Sequence, residues 1–323
     1  MKLSSNSIYG FLLGVLICLT ACWSISSRDS EQVLQERPVV LSMTSSPDIP
    51  SSVTFCGMPI DLTRYNMREG FDRELSSFTY FHSTTMLLFK RANRYFPVIE
   101  PILKANGIPD DFKYLAVIES HLDARVTSPA RAVGMWQLME ATGKQYGLTI
   151  SSTVDERCNV EKSTEVACRY LKDAYDKYGN WATVAASYNA GMARISGELT
   201  KQGVDNAFDL WLVEETSRYV YRIMAIKQIM ENPYKYGFVF RAEDLYKPIA
   251  TEGVEVSGDI PDLAAFAREK NTTYADLRRF NPWLRDKSLQ TSGKTYTLQI
   301  PKENDMYYKT PNTYVHNPSW VVR

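Results

Sequence analysis

Asp111-Phe-Lys-Tyr-Leu-Ala-Val-Ile-Glu-Ser120 is the stretch that decides the fold. Pro109-Asp110 just before it marks a helix start. Phe112, Leu115, Ala116 and Glu119 stand at i, i+3, i+4 and i+7, so a helix here carries Glu119 in its apolar stripe and not on its wet face. An ionised carboxylate is costly in such a place, and its pKa is expected to rise. A carboxyl that keeps its proton near neutral pH is what a general acid needs. The segment alone also allows a plainer reading, a Glu at a frayed helix end paired with a nearby arginine.

The segments downstream favour the acid. Ser128-Pro-Ala-Arg-Ala-Val-Gly134-Met-Trp-Gln137 follows, then Ala186-Ser-Tyr188-Asn189-Ala-Gly191, then Glu215-Thr-Ser-Arg218-Tyr219-Val220. In this order and spacing the four segments resemble the lysozyme-like (SLT) domain of bacterial lytic transglycosylases, over roughly residues 75 to 235. The resemblance implies a mainly α fold of the goose-type lysozyme class. It also implies roles. Glu119 matches the catalytic Glu, and Ser120 the Ser that follows it. Gly134-Met135-Trp136-Gln137 matches the Gly-Leu-Met-Gln or Gly-Leu-Trp-Gln loop, with Met135 in place of Leu. Ser187-Tyr188-Asn189 matches Ala-Tyr-Asn, and Tyr219 a Tyr near the catalytic Glu. Ser128, Gly134, Met135, Gln137, Tyr188, Asn189 and Tyr219 are therefore expected, with Ser120, to line the substrate site. Leu122-Asp123-Ala124 departs from the usual Phe-Asn-Pro, which leaves Asp123 as an extra carboxylate without an assigned role.

Composition limits the alternatives. Lys+Arg and Asp+Glu balance at 37 each, so the basic excess expected of a nucleic-acid-binding protein is missing. The 323 residues suffice for two domains, one with a sizeable core. At the N-terminus, Lys2 precedes the apolar run Ile8–Leu19, which is short for a membrane span and fits a signal-peptide core. The run ends in Leu19-Thr20-Ala21-Cys22, which resembles the bacterial lipobox. Residues 1–21 are then a lipoprotein signal and Cys22 the lipidated residue. The protein is expected on the periplasmic face of a bacterial membrane, the outer membrane because Trp23 is not a retention Asp. Cys56, Cys158 and Cys168 would remain. An N-cap at Asn159 with helix running through Cys168 separates the last two by roughly 12–15 Å, beyond the reach of about 7 Å for a disulfide. A bridge from Cys56 stays open.

Residues 22–55 are Ser-rich with three prolines and read as a flexible tether. Residues 56–240 read as the helical domain. It begins with one helix over about Glu69–Tyr95 and a second over Pro97–Asn106. Helices are also expected over Met135–Tyr146, Asn159–Tyr178, Trp181–Asn189 and Asp209–Met230. After a linker around 240–251, residues 252–301 give a strand, two helices and a closing strand. This βααβ order, with Gly258-Asp259 at its start, Asn281-Pro282 after the second helix and Ile300-Pro301 at the end, resembles a LysM module. Such modules bind N-acetylglucosamine chains, although the usual Thr-Leu after Gly-Asp is Ile260-Pro261 here. Residues 302–323 read as a tail.

The resemblance implies peptidoglycan glycan strands as substrate and partner, with neither cofactor nor metal. It implies cleavage between N-acetylmuramic acid and N-acetylglucosamine by one carboxyl group, assisted by the substrate's own 2-acetamido group, with a 1,6-anhydro product. Two other functions fit the same residues: a goose-type lysozyme hydrolase, marked by a second carboxylate holding a water, and a wall-binding lipoprotein with a decayed cleft.

Overall fold

The computed structural model describes residues 45–308 and 314–322. The apolar leader and Cys22 lie outside the described residues. Ten helices of α type and two small antiparallel sheets are found among them.

The helical part opens with a hairpin, β1 (Ser52–Phe55) and β2 (Met58–Asp61), paired from Ser52↔Asp61 to Phe55↔Met58. Phe55 is buried and meets Phe112 at 6.0 Å between ring centroids. The Cys56 amide donates to Asp111 Oδ2 at 2.6 Å, and Lys227 Nζ bridges the same carboxylate and the Thr54 carbonyl. Residues 52–55 therefore belong to the folded domain and not to a tether, because alternate side chains reach its core.

Helices α1 (Tyr65–Tyr80) and α2 (His82–Ala105) replace the expected helix over 69–95 and the separate one over 97–106. The chain breaks at Phe81, with φ −83° and ψ 54°, and Thr85 Oγ1 takes up the Phe78 carbonyl at 2.7 Å. Beyond the break α2 runs through Pro97 and Pro101. Its stripe Leu88, Ala92, Phe96, Ile99 and Leu103 is fully buried, and that burial outweighs the backbone bonds the prolines lack. A 3₁₀ turn at Asp110–Phe112 leads into α3 (Lys113–Ser120). Next come α4 (Glu140–Gln145), α5 (Val160–Tyr178), α6 (Trp181–Ala190), α7 (Met192–Gln202) and α8 (Glu214–Glu231). Asn159 caps α5 through Lys162 N and Asn180 caps α6 through Thr183 N. Two expected helix starts move inward. Residues 134–139 form turns before α4, and Asp209 ends a 3₁₀ turn before α8 and accepts from Arg64 at 2.8 Å.

The C-terminal module pairs β3 (Thr251–Val256) with β4 (Tyr296–Pro301) and packs α9 (Leu263–Glu269) and α10 (Tyr274–Phe280) against them. Asn281, fully buried, ties the end of α10 to β4. Its amide donates to the Leu277 and Gln299 carbonyls and its oxygen accepts from Gln299 N. The βααβ order is as expected, but the separation by a linker is not. Leu245 is fully buried, and Arg94 on α2 donates to the Lys247 carbonyl. Val133, Val154 and Cys158 of the helical part share the module's own apolar core, and the Asp155 amide donates to the Trp283 carbonyl at 2.8 Å.

The expected tail is also folded where it is described. Trp320 is buried between Phe89 and Phe96 and donates its indole N–H to the Met230 carbonyl at the end of α8. His316 meets Glu100, and Asn93 holds the Tyr314 carbonyl at 2.7 Å. The large apolar indole needs burial, and the groove between α2 and α8 provides it. Cys56, Cys158 and Cys168 are free thiols.

Candidate active site

Glu119 sits in the last turn of α3, with Phe112, Leu115 and Ala116 of its stripe fully buried. The helix stops at once afterwards. His121 and Leu122 both take left-handed conformations, φ 53° and 56°, which cost side-chain-bearing residues roughly 1–2 kcal/mol each. Complete burial of Leu122 holds this sharp exit in place, so Glu119 ends the helix rather than lying inside it.

The Tyr219 hydroxyl, on α8, donates to Glu119 Oε1. Burial raises the Glu119 carboxyl from its ordinary value to about 7; the Tyr219 hydrogen bond and the Arg222 charge pull it down, and Glu215 pushes it up. Glu215, Tyr219 and Arg222 fall at i, i+4 and i+7 of α8, so one helix face supplies all three influences. With Glu214 and Arg218, Glu215 and Arg222 line an open hollow of about 550 Å³. Burial, with the Glu119 charge next, holds the Tyr219 phenol well above its ordinary value, so it stays a neutral donor. Tyr188 is likewise raised by burial and then by Glu119, and its hydroxyl donates to the Trp136 carbonyl at 2.8 Å. Trp136 is in turn fixed by its indole N–H on Thr164 Oγ1. The expected trio of Glu119, Tyr188 and Tyr219 is thus brought together from α3, α6 and α8.

Other expected residues serve the scaffold. Ser120 is buried and donates to the Ala116 carbonyl, with Met135 Sδ at 3.6 Å. Ser128 Oγ accepts from the Ala132 amide and shapes its loop. Gly134 has φ 87°, and a Cβ there would stand 2.0 Å from the Arg157 carbonyl oxygen. Gly134, expected to line the substrate site, therefore makes its close approach to the protein's own backbone. Gln137 takes φ 47° and clamps the loop, donating from Nε2 to the Val126 and Gly134 carbonyls, while its Oε1 accepts no bond among the described residues. Asn189 Oδ1 accepts from Thr216 on α8. Asp123 is bound to Arg125 at 3.4 Å and Arg91 at 3.9 Å, which accounts for it without catalysis. Glu215 and Arg222 were not singled out from the sequence, although their helical spacing from Tyr219 carried the signal.

Residues 97–209 match the transglycosylase SLT domain family, and residues 252–304 match the C-terminal LysM-like domain of soluble lytic transglycosylases. The SLT match ends before Tyr219, which the fold nevertheless carries to Glu119. The chain is 28% identical over 243 residues to membrane-bound lytic murein transglycosylase D of Escherichia coli strain K12, covering 74% of this chain and 52% of that protein. It is 28% identical over 117 residues to a putative tributyltin chloride resistance protein of Alteromonas sp. strain M-1, covering 36% and 56%. The chain spans about half the length of the curated relatives it matches. Among solved structures, the 70 kDa soluble lytic transglycosylase of Escherichia coli aligns at TM-score 0.36 and 23% identity, over 44% of this chain and 25% of that one.

Proposed function

We propose, from the match of residues 97–209 to the transglycosylase SLT domain family, that the chain is a lytic transglycosylase and cleaves the β-1,4 bond between N-acetylmuramic acid and N-acetylglucosamine in peptidoglycan without consuming water. The observation that carries this reading is Glu119 itself. It is poised near pH 7 by burial and held by a phenol that favours its ionised form. One group can then give a proton and take one back.

Protonated Glu119 gives its proton to the bridging oxygen, and the glycosidic bond breaks. The carbonyl oxygen of the sugar's 2-acetamido group bonds to the anomeric carbon from the opposite face. Glu119, now a carboxylate favoured by Tyr219 and Arg222, takes the proton of the 6-hydroxyl. The oxygen of that hydroxyl displaces the acetamido oxygen at the anomeric carbon and closes the 1,6-anhydro ring. Gln137 Oε1 would accept from a sugar hydroxyl, its Nε2 being held by the Val126 and Gly134 carbonyls, and Tyr188 and Asn189 tie α6 to the Trp136 carbonyl and to Thr216. The module carries the expected glycan-binding role, and Leu19-Thr20-Ala21-Cys22 the expected acylation signal. Replacing Cys22 with Ala should release the protein from membranes on fractionation; unchanged fractionation removes the anchor reading.

A second reading, direct hydrolysis, draws on Glu215, the one other carboxylate whose charge acts on Glu119. Mass spectrometry of fragments released from purified sacculi separates the two. Anhydro products are about 18 Da lighter than hydrolytic ones and resist borohydride. Reducible products, together with inactivity of Glu215→Gln, would establish the hydrolase instead.

A further inference from the structure

The loop that carries Gln137 is held from outside as well as from within. Within it, Val133 and Leu138 exchange backbone hydrogen bonds, and Gln137 itself takes φ 47°. From outside comes Arg157, which like Asp155 is only 5% exposed. Its guanidinium grips Asp155 with Nε at 2.9 Å and Nη2 at 2.8 Å. Its Nη1 donates to the Leu138 carbonyl at 3.1 Å and the Arg131 carbonyl at 3.3 Å, one on each side of Gln137. The Arg157 carbonyl oxygen backs onto Gly134, where a Cβ does not fit. A planar fork holds a carboxylate and two carbonyls at once, which a compact ammonium does not.

The segment that carries Arg157 is held in turn by the C-terminal module. The Asp155 amide donates to the Trp283 carbonyl at 2.8 Å, and the Arg285 amide to the Thr153 carbonyl at 2.9 Å. The Gln290 amide reaches Thr153 Oγ1 at 3.2 Å, Arg285 Nη1 the Ser151 carbonyl at 2.8 Å, and Lys294 Nζ Thr149 Oγ1 at 2.7 Å. Val154, fully buried, shares the core of Trp283 and Leu284. Residues 149–158 thus form an edge of the module on one side and the backing of the Gln137 loop on the other. Asp155 joins the two sides, since its amide is taken by the module and its carboxylate by Arg157. Every link is a direct hydrogen bond or a packed side chain, so the module and the loop are physically continuous.

We infer that Arg157 is a positioning residue for the reaction: it holds the Gln137 loop in its sugar-accepting form, and the C-terminal module sets that form by holding residues 149–158. The inference rests on the reading of Gln137 as a sugar contact above. It gives the module a part in turnover that a glycan tether does not have.

The test is a double-mutant cycle on the full chain with soluble glycan strands as substrate. Total fragment release is followed, so that hydrolytic and anhydro products count alike. Gln137→Ala should raise KM about tenfold through loss of one hydrogen bond. Arg157→Lys keeps a charge beside Asp155 but not the fork, and should raise KM by a similar factor. The pH–rate profile should stay where it is, since Arg157 is not among the groups that act on Glu119. In the Gln137→Ala background, Arg157→Lys should add less than about twofold, because no side chain is left to position. Arg285→Ala combined with Lys294→Ala strips two exposed side chains of the module from residues 149–151. That pair should raise KM about threefold and add nothing in the Gln137→Ala background. It carries the same cycle if Arg157→Lys does not fold. A merely structural Arg157 would lower the folded fraction, and with it kcat, equally in both backgrounds. Losses that multiply to about a hundredfold in the Gln137→Ala, Arg157→Lys chain overturn the positioning role. Wild-type KM in the Arg285→Ala, Lys294→Ala chain overturns the module's part. Wild-type KM in Gln137→Ala instead strikes the sugar contact itself, and the inference with it.

Discussion

Two adjacent residues of α8 hold two buried carboxylates, and they do so by different chemistry. Arg218 reaches Glu74 on α1 with Nε at 2.5 Å and Nη2 at 3.2 Å, a bidentate ion pair whose acid is 1% exposed. Tyr219 reaches Glu119 on α3 with a single phenol. A guanidinium supplies a full positive charge and two aligned donors. A phenol supplies one neutral donor, leaving burial to oppose ionisation. The first arrangement fixes a helix pair, and the second leaves a proton that moves near neutral pH. The partner, not the depth of burial, separates a structural glutamate from a reactive one.

The contrast breaks most sharply at Glu119→Gln. That variant keeps size and hydrogen bonding but cannot transfer a proton, so peptidoglycan turnover should fall by at least about 10²–10⁴-fold. Its stability should move the other way. The native carboxyl titrates near 7 rather than near 4.5, so ionisation destabilises the wild type as pH rises between those values. Denaturant melts should show the Gln variant more stable by about 1–3 kcal/mol at pH 8, with the gap closing below about pH 4. Glu74→Gln should have the opposite sign, a loss of about 2 kcal/mol, because Arg218 is left half-buried without its partner. Catalysis in the folded fraction should change little.

Finer adjustments follow on α8. Tyr219→Phe removes a hydrogen bond that favours the carboxylate. The rate should drop about tenfold, and the alkaline limb of the pH–rate profile should move up, since Glu119 then titrates above about 7. Glu215→Gln removes a like charge that raises Glu119, so its limb should move down. Glu215 is exposed, so this shift should be the smallest of the set and should fade as salt is added.

Much of this contrast was legible in the sequence, and one half of it was not. The spacing of Phe112, Leu115, Ala116 and Glu119 placed the acid in an apolar stripe, and the motif at Tyr219 named its partner. Local periodicity is enough for the stripe; the partner came from the resemblance. Glu74 gave no sign, because its burial depends on α1 crossing α8, a contact between residues 144 positions apart. The same limit explains the other departures. Pro97 reads as a helix boundary until the neighbours that bury its flanks are known. Residues 52–55 and 314–322 read as tether and tail because each segment is too short to show a periodicity of its own, and only the partners at Asp111 and Met230 show where they dock. Gly134 illustrates a different limit. The need for a glycine was visible, but the surface pressing on it was a carbonyl of the protein itself.

Trp320 closes the seam between α2 and α8 from a point beyond the module. The helical core is therefore completed last by residues that come after the module in the chain. Until that segment docks, Phe89 and Phe96 have only part of their cover, from Phe238, Phe240 and Tyr114. Closing so long a loop is slow compared with forming the helices around it. A chain emerging residue by residue lacks this last piece of its helical core until residues beyond the module are present, and a cut between the module and Trp320 frees that piece without touching any of the helices it covers.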